Sequence, residues 1–188
     1  MPKLSRGRSS FSANAALACL FAAFCCAGAY ISIPIGPVPL ALANFFSVLG
    51  GLLLGPLFGA VSAALYVALG ALGFPVFSGG QGGMAHLAGP TGGYLVGYIV
   101  GAALSGLIAQ KRSALSSALG AVIGLGSILV LGAVGLKLIS GISWDKAMAV
   151  GILPFLPGDA VKAILAALIA TRLGPFVDSL TARRGRNA

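Results

Sequence analysis

Two residues of opposite charge lie three positions apart inside an otherwise apolar stretch: Asp159 and Lys162, in Leu156-Pro157-Gly158-Asp159-Ala160-Val161-Lys162. On a helix, residues at i and i+3 share a face, so both groups can serve one pocket. Pro157 suits the first turn, where a missing N–H costs nothing. Asp159 would then sit where the helix dipole favours a negative charge. A charge held at mid-bilayer costs about 2.5–3.5 kcal/mol on an insertion scale. Such a couple is either a structural ion pair, its side chains reaching toward water, or a polar site for a small molecule, and the second reading is favoured. Acid–base chemistry would need more. No nucleophile, second carboxylate or cluster of metal ligands accompanies the pair, so no catalytic residue and no metal site is expected and the chain is not read as an enzyme.

Four further residues could line a polar site. Asn44 is the one strongly polar side chain of its apolar segment, placed either to bond a neighbouring helix or to face a substrate. Gln81 stands in Ser78-Gly79-Gly80-Gln81-Gly82-Gly83, where glycines permit close approach of backbone to a ligand. Thr91 and Tyr94 belong to Gly89-Pro90-Thr91-Gly92-Gly93-Tyr94, whose proline fits a helix start with free N–H groups for an anion. Tyr94 equally suits an anchor at the membrane interface. His86, the single histidine, is read as structural or incidental, and Cys19, Cys25 and Cys26 as small packing residues without ligand spacing.

The elements that must position these groups are membrane helices. Hydrophobic residues make up 58% of 188 positions and charged residues 8%, against about 25% charged in soluble domains. The mean hydropathy is +1.02. An all-α, polytopic membrane protein of six transmembrane helices is expected, with 1–12 a basic N-terminus, 13–174 the helical domain and 175–188 a basic tail. Ala27-Gly28-Ala29 resembles a signal-cleavage site, but the apolar run before it exceeds the usual ~7–15 residues, so it is read as a retained first helix. Within it Ala18 and Ala22 have the small-xxx-small spacing that lets another helix, or a partner protein, approach closely. Ile33-Pro34-Ile35-Gly36-Pro37-Val38-Pro39 follows as a stiff extended loop. Later helices are expected near 40–54, 57–72, 90–109, 113–139 and 157–173, with an interfacial helix from Trp144 capped by Ser143.

Six spans put both termini on one side. That side collects Lys3, Arg6, Arg8, Lys111, Arg112, Arg172, Arg183, Arg184 and Arg186, while the opposite loops hold Lys146. By the positive-inside rule the termini are cytoplasmic, which places the chain in a cytoplasmic (inner) membrane and leaves nucleic acid without support as a partner. Every polar candidate except Asn44 then lies toward the outer face. Capture of a small polar molecule from outside fits these groups. The chain has no GxxxxGK[ST], so active transport would need a partner or an ion gradient.

Taken together, Ile33–Pro39, Asn44-Phe45-Phe46, Gly51-Leu52-Leu53-Leu54-Gly55-Pro56, Gly89–Tyr94 and Pro154-Phe155-Leu156-Pro157-Gly158-Asp159 with Lys162 resemble the BioY family, biotin-binding S components of energy-coupling factor transporters. The resemblance covers about Ala16 to Leu173. It implies a six-helix protein that binds biotin as transported ligand, with no resident cofactor, and is energised by a separate transmembrane T component and ABC-type ATPases. It gives Ala18 and Ala22 the role of meeting the T component, and assigns substrate contact to Asp159, Lys162, Thr91 and Tyr94. Family members often carry Thr and Gln where this chain has Ala41 and Ala43, so polar contact from that segment falls to Asn44. Asp159 could accept from a ureido N–H, Lys162 could meet the ureido carbonyl or the carboxylate, and Tyr94 could pack on the ring or donate to the tail. A stand-alone or ion-coupled transporter, an S component for another vitamin, and a homo-oligomer stay open.

Overall fold

The computed structural model describes residues 3–35 and 38–181. It is mostly helical. Helix α1 (Lys3–Tyr30) leads into a two-stranded hairpin, β1 (Ser32–Ile35) and β2 (Val38–Ala41), followed by α2 (Ala43–Leu54), α3 (Pro56–Ala71), the single turn α4 (Met84–Leu87) and α5 (Gly92–Ile108). A 3-10 turn, Ala109–Lys111, joins α5 to α6 (Ala114–Ser140); then come α7 (Trp144–Gly151) and α8 (Leu156–Leu180).

Among the described residues four segments are long and apolar enough to cross a membrane: Phe11–Tyr30, Gly92–Lys111, Ala114–Ser140 and Trp144–Leu180. Helices α2 and α3 are shorter, with 12 and 16 residues. At about 1.5 Å per residue neither alone matches a hydrocarbon layer of about 30 Å. For α2 the reason lies in its position. It is buried along nearly its whole length and packs against α1, α3, α5, α6 and α8, so it is a core element screened from lipid. Glycine makes that packing possible: a Cβ on Gly51 would lie 2.1 Å from the Ala102 carbonyl oxygen of α5. Outward-facing stripes are apolar instead, as on α3, where Leu57, Val61, Leu65 and Leu69 recur at helical spacing.

Local signals explain the element ends. Gly55 has φ 83° and Pro56 opens α3, so α2 stops where the sequence breaks it. Ser113 and Ser116 form a reciprocal capping box at the head of α6. Ser143 caps α7 by accepting from the Lys146 N–H.

Three expectations need correction. The proline-rich segment is a hairpin and not merely an extended connection: Ser32 pairs with Ala41, Ile33 with Leu40, Pro34 with Pro39 and Ile35 with Val38. Two opposed prolines fit a non-hydrogen-bonded pair, where no N–H is required; Gly36 and Pro37 lie outside the described residues. Helix α1 begins at Lys3, so the basic segment is continuous with the first helix. Helix α8 runs through Pro175 to Leu180, past the expected end near Leu173. Its last turns are held by buried Val177 and Thr181 and by an ion pair between Asp178 and Arg112. The end of the basic tail, from residue 182, lies outside the described residues.

Candidate functional site

The heads of α2, α5 and α8 meet the hairpin and the 73–91 segment on one side of the bundle. At their junction is a buried polar cluster. Lys162 Nζ donates to the Ala41 carbonyl at 2.9 Å, to Asn44 Oδ1 at 2.9 Å and to Asp159 Oδ1 at 3.1 Å. Asn44 Nδ2 donates to the same Asp159 oxygen at 3.1 Å. An ammonium has three N–H groups, so Lys162 has none left for a ligand. It acts instead as the counter-ion that orients Asp159 and Asn44 and ties the end of β2 to α8. Asp159 and Lys162 are 5% and 7% exposed, deep enough for an unmet polar atom to be costly. Asp159 Oδ2 is such an atom: buried and without a hydrogen-bond partner. A half-satisfied carboxylate in a cluster otherwise saturated calls for an external donor.

Asn44 joins this cluster to a cavity. The inner space is about 40 Å³, walled by Asn44, by the rings of Tyr66, Tyr94, Tyr98, Phe77 and Phe155, and by Ile128 and Leu129. Asp159 and Lys162 are not part of that wall and stand behind Asn44. Outside it opens a vestibule of about 640 Å³, lined by Ser32 and Pro34 of the hairpin, by Gly79 and Gln81, and by Gly89 and Pro90. Pro39, Ser78, His86 and Thr91 border both spaces.

The aromatic walls form a connected series. Tyr98 stacks on Tyr66 with centroids 6.0 Å apart, Tyr66 meets Phe77 edge-on at 5.6 Å, and Phe77 stacks on His86 at 5.0 Å. Rings thus run from the inner cavity to the vestibule, a surface suited to a flat or fused-ring ligand. The Tyr94 hydroxyl donates to the Gly151 carbonyl at 2.7 Å, so its ring rather than its hydroxyl faces the cavity. Tyr94 is therefore buried wall and not an interface anchor. Gly132 across on α6 leaves it room, since a Cβ there would come within 2.1 Å of the ring.

The other sequence candidates fall as follows. Thr91 Oγ1 is 3.0 Å from His86 Nε2 at the opening between the two spaces. Gln81 is exposed in the vestibule wall, and its carbonyl accepts from the Phe77 N–H at 2.8 Å. Asn44, set apart from the outer-face group in the sequence reading, belongs to the heart of the cluster. Ala18 and Ala22, the residues expected to meet a partner, are 0% and 4% exposed and pack inside the bundle. Small-xxx-small spacing shows that two residues share a face, not which way it turns; the outward side of α1 carries Ala16, Cys19, Leu20, Ala23 and Ala27. Tyr66, Phe77, Tyr98 and His86 were missed as site residues. Tyr94 and Tyr98 at i and i+4 gave a usable hint, whereas nothing local marks Tyr66 or Phe77 as facing a cavity. Among the described residues no group of three or more metal-ligating side chains comes together.

Residues 2–179 match the model of the BioY family. A relative from Thermotoga maritima, "Biotin transporter BioY", is 46% identical over 82% of this chain and 91% of its own length. One from Pyrococcus horikoshii, "Probable biotin transporter BioY", is 44% identical over 84% of this chain and 93% of its own. Among solved structures, the S-component for biotin from an ECF-type ABC transporter superposes with a TM-score of 0.80 at 30% identity, covering 92% of this chain and 94% of that one.

Proposed function

This chain belongs to the BioY family, and from that membership we propose that it is the biotin-binding membrane subunit of a vitamin uptake system. It is a multi-pass membrane protein of a transporter family, not of an enzyme family. The observation that carries the reading is the pairing of a ring-walled cavity with a buried carboxylate that has one oxygen unpartnered. Biotin offers the complement: a fused bicyclic head with ureido N–H donors, and a flexible chain ending in a carboxylate. In this reading the head lies against Tyr66, Tyr98 and Phe77, and a ureido N–H reaches Asp159 past the amide of Asn44. Thr91 and Gln81 face the tail side, and Lys162 works through Asp159 and Asn44.

The spans and orientation belong to the same proposal. Helices α1, α2, α3, α5, α6 and α8 are the six spans, with termini on the cytoplasmic side of the inner membrane and the vestibule outside, as the basic residues favour. The sequence carries no Walker-type loop, so active uptake needs a partner or an ion gradient, and membership of the family favours a T component and ABC-type ATPases. Docking of the T component along α1 would use its outward side.

The test is a thermal-shift panel of vitamins on the purified protein. Ligand at about 100 times Kd stabilises a native state by about 2.7 kcal/mol. Biotin is expected to raise the Tm where riboflavin and thiamine do not. A shift with another vitamin and none with biotin overturns the assignment.

A further inference from the structure

The inner cavity, at about 40 Å³, is far below the ~300–1,000 Å³ of small-molecule pockets, whereas the vestibule lies within that range. A ligand with its head inside must therefore pass its tail through the opening bordered by Pro39, Ser78, His86 and Thr91. If that tail ends in a carboxylate, the walls must supply a donor or a charge. Lys162 cannot, since its three N–H groups are engaged. Among the described residues no other Lys and no Arg lines either space.

The titratable groups around the opening can be named element by element. Among the described residues the hairpin, the glycine-rich loop and α6 bring none to these walls, and α3 and α5 bring Tyr66, Tyr94 and Tyr98, phenols that do not change charge near neutral pH. Asp159 and Lys162 are held behind Asn44. Among the described residues His86 of α4 is left as the one lining group that changes charge near neutral pH.

We propose that His86 recognises the carboxylate tail of the ligand, taking up a proton from solvent as it does so; the inference rests on the biotin reading above. In the protonated imidazole both ring nitrogens donate. Nε2–H then donates to Thr91 Oγ1, which already lies 3.0 Å away, and Nδ1–H is available to a carboxylate oxygen. Stacking on Phe77 fixes the plane of the ring. Without ligand, burial holds the His86 pKa below the ordinary imidazole value, so the ring is neutral at pH 7. An anion at the opening raises that pKa, binding takes up protons, and affinity rises as pH falls.

Isothermal titration of biotin into the detergent-solubilised wild-type protein tests this, in two buffers of different ionisation enthalpy. The ligand carboxylate stays ionised between about pH 8 and pH 6, so it adds no slope of its own. Net proton uptake is expected near pH 7, with affinity rising about five- to tenfold between those limits, and His86→Gln should remove both effects. A wild-type protein that binds biotin without proton uptake, or a His86→Gln variant that keeps the pH dependence, overturns the role of His86 while leaving the receptor reading intact. A wild-type protein that binds no biotin at any pH overturns both.

Discussion

Helices α2 and α8 are tied together at both ends, and the two ties are built differently. At one end Asn44 of α2 meets Asp159 and Lys162 of α8 in a nearly closed site beside a cavity. At the other, Arg112 donates to the Leu52 and Leu53 carbonyls at 2.6 and 2.8 Å and pairs with Asp178 at 2.7 Å. Arg112 thereby caps the last carbonyls of α2, which a helix end leaves without partners. Its side chain and that of Asp178 remain about a quarter exposed, at 23% and 24%. The Arg112 tie leaves no buried polar atom unmet; the Asp159 tie leaves one carboxylate oxygen without a partner. The contrast teaches that a buried ion pair is not by itself a functional mark. The mark is a buried cluster left incomplete next to space that a ligand can fill.

Substitutions at the two ends should separate these roles. The largest effect is expected from Lys162→Ala, which strands Asp159 in the interior. Removing one member of a buried pair typically costs about 3–5 kcal/mol, seen as a large drop in thermal stability in detergent, together with loss of biotin binding. If Lys162→Ala is as stable as the wild type, the cluster does not hold α2, α8 and the hairpin together. A smaller loss, about 1–2 kcal/mol, is expected from Arg112→Ala, where water can reach part of what is exposed. That variant should bind biotin as the wild type does, and a weakened Kd would mean that the two ends are not independent.

Much of this architecture is legible in the sequence where the signal is local. Pro157 and the Asp159–Lys162 spacing set the head of α8, Ser143 caps α7, and Gly55-Pro56 breaks α2 from α3. What was not legible depends on distance along the chain. Asn44 meets Asp159 across 115 positions, and no local pattern reports such a contact. Ala18 and Ala22 show the same limit, since spacing gave their shared face but not its inward direction. Arg112 was read as a charge that sets orientation, and its second use, as a cap on α2, needs the partner carbonyls in view. The ring series through Tyr66, Phe77 and His86 draws on α3, a loop and α4, which only the packed bundle brings together.

The central claim is that the incomplete carboxylate reads the ligand and the complete one does not. Calorimetric titration of biotin into Asp159→Asn and Asp178→Asn, side by side, tests it most directly. In Asp159→Asn an amide N–H replaces the acceptor, and losing a hydrogen bond to a charged group, about 1.5–3 kcal/mol, should weaken binding about 10- to 150-fold. Asp178→Asn should bind within about twofold of the wild type, as a site remote from the cavity would. Equal affinity of the Asp159→Asn variant and the wild type would contradict the account.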